Sequence, residues 1–367
     1  MKIATYNVNS INARLPNLLA WLERAKPDVV LLQEIKCEFN AFPFFDLQLA
    51  GYEAKILGQK SYNGVAVLSR GKIVVTQEGL PGFADENSRY LEAVVDCGGE
   101  KVRVASIYLP NGNPPYNNPD DESKFVYKLA WMDAFYAHAR QLLESGEKVV
   151  LGGDYNVILT DNDVYNPELF RGNALFRDEV RQRLKAVEFL GYYDAFRCLH
   201  PRENGYTYWD YAGNALALDN GMRIDYLWLS PKAADALKSC AVDGSARAGD
   251  KPSDHTPLVA ELEQAMARKD FKLPENCLLK VVSVNGHGDL TAEAAESGVL
   301  PRRTVVMVAE NRRIKPALAE GDVFLARLSR KRDAVWAKPL MRVESEGGHR
   351  DKVYGVIARK GDRYYLK

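Results

Sequence analysis

Residues 148–157 read KVVLGGDYNV, an apolar run without alternation that closes on two glycines, an aspartate and an asparagine. A short run that is apolar at every position belongs to a strand buried on both faces, hence to a sheet covered on each side. A carboxylate at the end of such a strand stands on a rigid support, where catalytic groups are usually mounted. The same pattern recurs on either side of this stretch. KIATYNVN (2–9), DVVLLQE (28–34), GVAVLS (64–69), YLEAVVDC (90–97), KVRVASIYLP (101–110), IDYLWLS (224–230) and TPLVAEL (256–262) are all short and rich in β-branched or aromatic residues. Helical spacing separates them. Residues 12–25 carry Leu15, Leu18, Leu19 and Leu22, residues 122–145 carry Phe125, Leu129, Met132 and Phe135, and 178–190 form a third pattern. Sheets covered by helices on their outer faces make an α/β (α+β) layered sandwich the expected fold class.

The chain has 367 residues, enough for one large and one small domain. Its five cysteines are scattered, and no pair has CxxC spacing, so neither a disulfide framework nor a zinc site is expected. The N-terminus MKIATYNVNSINARL lacks the apolar core of a signal peptide, and no stretch approaches 18 apolar residues. A cytoplasmic protein that spans no membrane is therefore expected. The formal net charge of zero conceals an asymmetry. Residues 264–367 hold 21 Lys/Arg against 13 Asp/Glu, while the rest holds 28 against 36. A basic segment suits nucleic acid, although a solvated basic surface has the same composition.

The polar residues at the ends of these runs carry the chemistry. Asn7, Glu34, Tyr108, Asp154, Asp225 and Asp254 each stand at or just past such an end. Six segments in order, TYNVNSI (5–11), LLQEIK (31–36), IYLPNG (107–112), LGGDYN (151–156), RIDYLW (223–228) and SDHTPL (253–258), resemble the motif set of the exonuclease III family. That family lies within the DNase I-like endonuclease/exonuclease/phosphatase superfamily. The resemblance covers about residues 1–262. It implies a four-layered sandwich with two mixed β-sheets flanked by helices. It also implies a phosphodiesterase acting on double-stranded DNA, 5′ to abasic sites and at 3′ ends.

Phosphodiester hydrolysis needs a cation against the developing charge, an activated water and support for the leaving oxygen. Glu34 is expected as principal ligand of Mg2+ or Mn2+, with an amide oxygen from Asn7 beside it and Asp254 acting through water. Oxygen ligands suit such a hard cation. Asp154 and Asn156 complete the candidate metal set and are also expected at the attacking water, which Asp154 can orient or deprotonate. A lone GDYN would be ordinary turn chemistry. Asp225 and His255 form the other expected pair, because a carboxylate holds an imidazole in one tautomer and raises its basicity. Adjacent residues on an extended segment diverge, so Asp254 can face the metal while His255 meets Asp225. The resemblance gives Tyr108 a contact to the scissile phosphate. Arg89 and Asn111 are candidate phosphate contacts. In the family the loop before RID borders the pocket for a flipped-out abasic sugar. That makes Trp209 and Met222 candidates for its apolar wall, with ordinary core packing as the equal alternative.

After residue 262 a polar stretch, 263–275, reads as a linker ending near Pro274, and residues 276–367 read as a small β-barrel of short alternating strands. LLKVVSVNGHGDLTAEAAE, RRIKPALAEGDVFLARL and VYGVIARKGDRYYLK resemble the OB-fold, cold-shock-like region of the ribonuclease R family. The barrel is expected to be incomplete at its C-terminal end. The aspartate-rich catalytic domain of that family is absent, so the resemblance implies single-stranded nucleic-acid binding or a fusion remnant rather than RNA hydrolysis. A monomeric DNA-repair hydrolase is the leading expectation. The alternatives are an RNA or small phosphoester hydrolase and a catalytically silent nucleic-acid-binding regulator. The joint presence of Glu34, Asp154, Asp225 and His255 speaks against the last.

Overall fold

The computed structural model describes residues 1–263 throughout, and beyond them 276–284, 290–294, 306–308, 319–331, 334–343, 357–360 and 363–366. All but the first residue of the expected linker lies outside the described residues. The chain divides into two compact units, Met1–Gln264 and Ala265–Lys367. Among the described residues no helix is long and apolar enough to cross a membrane.

The first unit contains two six-stranded sheets. In chain order its elements are β1 (Lys2–Asn7), α1 (Ile11–Ala25), β2 (Val29–Gln33), α2 (Phe44–Leu49), β3 (Glu53–Leu57), β4 (Val65–Ser69), β5 (Lys72–Glu78) and β6 (Tyr90–Cys97). They continue with β7 (Glu100–Tyr108), α3 (Ser123–Glu144), β8 (Val149–Asp154), α4 (Asp178–Phe189), β9 (Tyr193–Asp194) and α5 (Ala195–Leu199). Last come β10 (Asp225–Leu229), α6 (Pro231–Ala234), β11 (Leu237–Val242) and β12 (Leu258–Leu262). One sheet runs β11-β12-β1-β2-β4-β3 and the other β5-β6-β7-β8-β10-β9. Each mixes parallel pairs, β1 with β2 and β7 with β8, with antiparallel ones.

The continuous apolar runs are the central strands, and every residue of β2, β4, β8 and β10 is buried. Ile3, Val29, Leu31 and Val65 meet Ala93, Val104, Val150 and Leu227 in the core between the sheets. The opposite face of the first sheet packs Ala4, Tyr6, Val30 and Leu32 against Leu18, Trp21 and Leu22 of α1. The second sheet packs Ala105, Ile107 and Leu151 against Phe125, Met132 and Phe135 of α3 and Leu184 of α4. Four layers result, as the alternation of runs and helices predicts. The doubled glycine of β8 has a steric reason. A Cβ on Gly153 would run into the Ile107 carbonyl of β7, so the two parallel strands close up only with hydrogen at that position.

In the second unit β13 (Asn276–Val284), β14 (Leu290–Ala294), β15 (Val306–Val308), β16 (Val323–Lys331) and β17 (Ala334–Val343) close into a barrel in the order β13-β14-β15-β17-β16. Leu279, Val281, Ala292, Val306 and Phe324 are buried, while Lys280, Val282 and Arg327 face outward. β18 (Ile357–Lys360) and β19 (Arg363–Leu366) form a separate antiparallel hairpin.

Candidate active site

The topology explains why the polar strand ends converge. Asn7 ends β1 and Glu34 follows β2, its parallel neighbour. Tyr108 ends β7 opposite Asp154, which ends β8. Asp225 opens β10 rather than closing it. Because β10 runs antiparallel to β8, its first residue pairs with Asp154, the last of β8. Asp254 and His255 lie in the turn entering β12, which is antiparallel to β1. Strand ends and strand starts therefore reach the same edge of both sheets. Glu34 and Asn156 hold φ values of 50° and 48°, the left-handed region that L residues occupy only when their surroundings impose it.

A network of short contacts ties these groups together. Asn7 Nδ2 donates to Glu34 Oε1 at 2.8 Å and Asp154 Oδ2 at 2.9 Å, and lies 3.3 Å from His255 Nε2. His255 Nδ1 meets Asp225 Oδ2 at 2.8 Å, and its Nε2 stands 3.6 Å from Asp154 Oδ2. Thr207 Oγ1 accepts from the backbone N–H of Asp225, and Ser253 Oγ both donates to the Asn7 carbonyl and accepts from the His255 N–H. Asp154, His255 and Asp225 are each buried. Burial pushes the Asp154 carboxyl up to about 7, with His255 opposing and the carboxylates of Asp225 and Glu34 adding. Burial by itself would lower His255, but the carboxylates of Asp225 and Asp154 outweigh it and raise the imidazole to about 10. Glu34 would also be raised by burial, yet Lys36, 2.8 Å away, and the Asn7 amide hold it below the usual carboxylate range. Burial keeps the Tyr108 phenol protonated, and Glu34 and Asp154 reinforce this.

Ligand atoms of Glu34, Asp154 and His255 lie within 4.8 Å of one another. Two buried or half-buried carboxylates facing one space, with one Asp225 oxygen left without a partner behind them, fit a divalent cation. The expected amide oxygen of Asn7 points elsewhere. It accepts from the Asn9 N–H at 3.0 Å, so the nitrogen faces the carboxylates. Asn7 would have to turn its amide over to act as a ligand. Asp254 accepts from Asn9 Nδ2 at 3.0 Å and stands outside the tight group.

A pocket of about 600 Å3 opens over the cluster, lined by Glu34, Tyr108, Asn111, Asp154, Asn156, Asp254, His255 and Met222 among others. Asn7 and Asp225, fully buried, form the support beneath it. Trp209 does not line the pocket. It is 8% exposed, packs with Tyr206 and Ala215, and donates to Asp219, so it braces the 209–219 loop from inside. Arg89 does not line it either. Its guanidinium lies 4.9 Å from the Tyr108 ring and donates to the Tyr108 carbonyl, orienting that tyrosine. Arg171 is paired with Glu168, and Arg177 with Glu122 and Glu179.

Two structural residues went unnoticed in the sequence. Lys128 of α3 is fully buried and donates to the carbonyls of Asn156 (2.6 Å), Asn111 (2.9 Å) and Ala174 (3.1 Å), joining three loops of the pocket wall. Burial lowers its ammonium to about 7, against the pull of Asp154. Gly112, at φ 84°, leaves the space that this side chain fills, since a Cβ there would lie 2.6 Å from Lys128 Cδ. The visible signal is a lysine three residues after Phe125 and four before Met132, on the apolar stripe. The other is Arg223 of the RID motif, fully buried between Asp163 (2.7 Å) and Asp194 (2.6 Å).

Known proteins are similar to this chain in sequence and fold. Residues 4–255 match the endonuclease/exonuclease/phosphatase family. Exodeoxyribonuclease III of Haemophilus influenzae is 31% identical over 72% of this chain and all of its own. An AP endonuclease from Archaeoglobus fulgidus superimposes with a TM-score of 0.66 at 33% identity, covering 72% of this chain and all of that one. The Neisseria protein NExo, solved as a 3′ phosphatase bound to a product DNA hairpin, gives 0.66 at 37% identity with the same coverage. The chain belongs to the endonuclease/exonuclease/phosphatase family, and its first unit is of the exodeoxyribonuclease III type.

Proposed function

We propose that the first unit hydrolyses DNA phosphodiesters with the aid of Mg2+ or Mn2+, incising 5′ to abasic sites and removing nucleotides or blocked groups from 3′ ends. The observation that carries this reading is the convergence of Glu34, Asp154 and the Asp225–His255 pair at one open pocket. An enzyme of this class is a phosphoric diester hydrolase. Relatives named exodeoxyribonuclease III and AP endonuclease support the two kinds of DNA end.

Glu34 and Asp154 would hold the cation, with Asn7 keeping them in register and Asp254 reaching it through water. When bound, the cation neutralises charge that develops on the phosphoryl oxygens. Asp154 takes the proton of the attacking water, and Asn156 orients that water. The Asn156 carboxamide is itself fixed by the Leu109 carbonyl at 2.9 Å and by Asn111 at 3.2 Å. His255, held by Asp225, presents Nε2–H to a phosphoryl oxygen, and the neutral Tyr108 hydroxyl donates to the same group. Fixed donors aimed at developing charge need no reorganisation during reaction.

The test is cleavage of a duplex carrying one abasic analogue, with Mg2+ and with EDTA, for wild type and Glu34→Ala. Metal-dependent incision that is lost in the variant is expected. Equal cleavage by both proteins would remove Glu34 from the site. Activity confined to RNA or a small ester would change the substrate. The surroundings proposed for this enzyme are the cytoplasm, as a monomer.

A further inference from the structure

A DNA strand is a polyanion, yet no lysine or arginine lines the pocket, while Glu34, Asp154, Asp210 and Asp254 do. Positive charge stands just outside it, around Tyr211. This residue lies between Asp210 and Ala212, which line the pocket, and is 54% exposed. Arg14 of α1 donates from Nη2 to the Tyr211 hydroxyl at 3.2 Å, and the Arg247 guanidinium lies 5.8 Å from the centre of the same ring. Asn9 Nδ2 bonds to Asp254 at 3.0 Å and lies 3.4 Å from the Tyr211 hydroxyl, so the group adjoins the carboxylate end of the pocket.

Arg223 is closed in by two aspartates, whereas neither Arg14 nor Arg247 makes an ion pair among the described residues. Each is held by the backbone at one nitrogen, Arg14 Nη1 by the Asn9 carbonyl at 2.6 Å and Arg247 Nη1 by the Ser253 carbonyl. The Nε of each is buried without a partner, and Arg247 Nη2 bonds to no described residue. Two like charges drawn to one phenol, with donors left over, are unfavourable until an anion joins them. The planar fork of arginine fits the paired oxygens of a phosphate. We infer that Arg14 and Arg247 form a second phosphate site, which grips a backbone phosphate of the DNA strand beside the one that is cleaved. The inference rests on the phosphodiesterase reading above and names the contact that holds the strand at a pocket rich in carboxylates. Phosphate contacts fix register and carry no sequence information, so the pair sets where the strand lies, independently of its bases.

The test uses the full chain and a duplex with one abasic analogue, bound in EDTA so that no hydrolysis intervenes. Affinity is read by fluorescence anisotropy against salt, and again with single phosphates beside the analogue replaced by neutral methylphosphonates. Arg14→Met combined with Arg247→Met should reduce the salt slope by about 0.9, the value for one neutralised phosphate. At one position a methylphosphonate should weaken binding by the wild type about tenfold and leave the double variant indifferent. Arg14→Lys and Arg247→Lys, which keep the charge, should keep the slope. That pattern supports the site even if assays with Mg2+ defeat the phosphodiesterase reading. Methylphosphonate penalties equal in wild type and double variant at every position overturn the inference. Titration with inorganic phosphate separates the two sources of the group. Phosphate binding lost in the double variant, with those penalties still equal, would assign the pair to a free anion and overturn the DNA contact.

Discussion

Two buried charged clusters flank residue 224 of the RID motif, and they are built to opposite ends. On one side Arg223 is enclosed by Asp163 and Asp194, and Arg197 joins Asp163, so two cations meet two anions with no solvent exposure at Arg223. On the other side Asp225 meets His255, which in turn faces Asp154, and one oxygen of Asp225 is left without a partner. The first cluster is charge-balanced and closed. The second carries an excess of carboxylates and opens on a pocket. A strand alternates its faces, but residues 223 and 225 share parity. They part because Arg223 precedes the strand, where its N–H bonds to the Asp163 carbonyl, while Asp225 opens the β10 ladder. Balanced burial serves stability, whereas crowded like charges store unfavourable energy that a ligand can relieve.

The comparison breaks first at Asp154. Asp154→Asn should lower kcat about 10²- to 10⁴-fold, the usual contribution of a proton-transferring group. It should leave the urea midpoint unchanged or higher, because a carboxylate is removed from beside two others. A variant that loses stability in step with activity would make the two clusters alike. Arg223→Met is the converse. It leaves two buried aspartates with one cation and should destabilise the fold by about 3–5 kcal/mol in urea unfolding.

Lys128 stands between the two kinds, structural in its burial and placed at the pocket. Lys128→Met withdraws a donor from three carbonyls and should cost about 1–3 kcal/mol of stability. It should also lower kcat/KM, since the Asn111 and Asn156 loops lose their common anchor. A variant with wild-type kinetics would show that those loops hold position without it.

Glu92 supplies a balanced cluster that titrates within reach. One oxygen accepts from Thr76 at 2.7 Å and Arg103 at 2.6 Å, the other from Tyr90 and His138, both at 2.8 Å. Burial would raise it, but the bonds from His138, Thr76, Tyr90 and Arg103 prevail and hold it at about 2. A carboxyl whose folded pKa is depressed stabilises the fold above its unfolded pKa and loses that contribution as pH falls through the folded one. Stability should therefore decline by on the order of 1–2 kcal/mol between about pH 4.5 and pH 2, and Glu92→Gln should flatten that part of the profile. His138 belongs to this cluster, being 11% exposed.

The smallest expected effect concerns the basic second unit. Removing the residues after Gln264 should weaken single-strand affinity and reduce its salt slope by about 0.7 for each phosphate that this unit neutralises. An unchanged slope would assign its positive charge to solvation alone.

Much of the first unit was legible because its signals are local. Unbroken apolar runs exist only where both strand faces are buried, so 148–157 and its counterparts announced covered sheets. Glu34, Asp154, Asp225 and His255 stood out for a related reason, since a polar residue that follows or precedes such a run has few places to go. Trp209 left two readings open, because an aromatic residue in a loop looks the same whether it walls a pocket or braces the loop behind it, and the packing against Tyr206 and Ala215 is the second of them. Tyr165 and Phe170 gave no sign, lying in a segment without periodicity. By itself the sequence determined which strands are central and which charged groups stand at their ends, because burial on two faces and chain continuity are written residue by residue. Only the tertiary structure decided that Lys128 gathers three loops, that Arg223 is locked away while Asp225 pairs with His255, and that Tyr165 and Phe170 line the pocket. Those interactions join residues 17 to 60 positions apart, and which partners meet depends on how the layers pack.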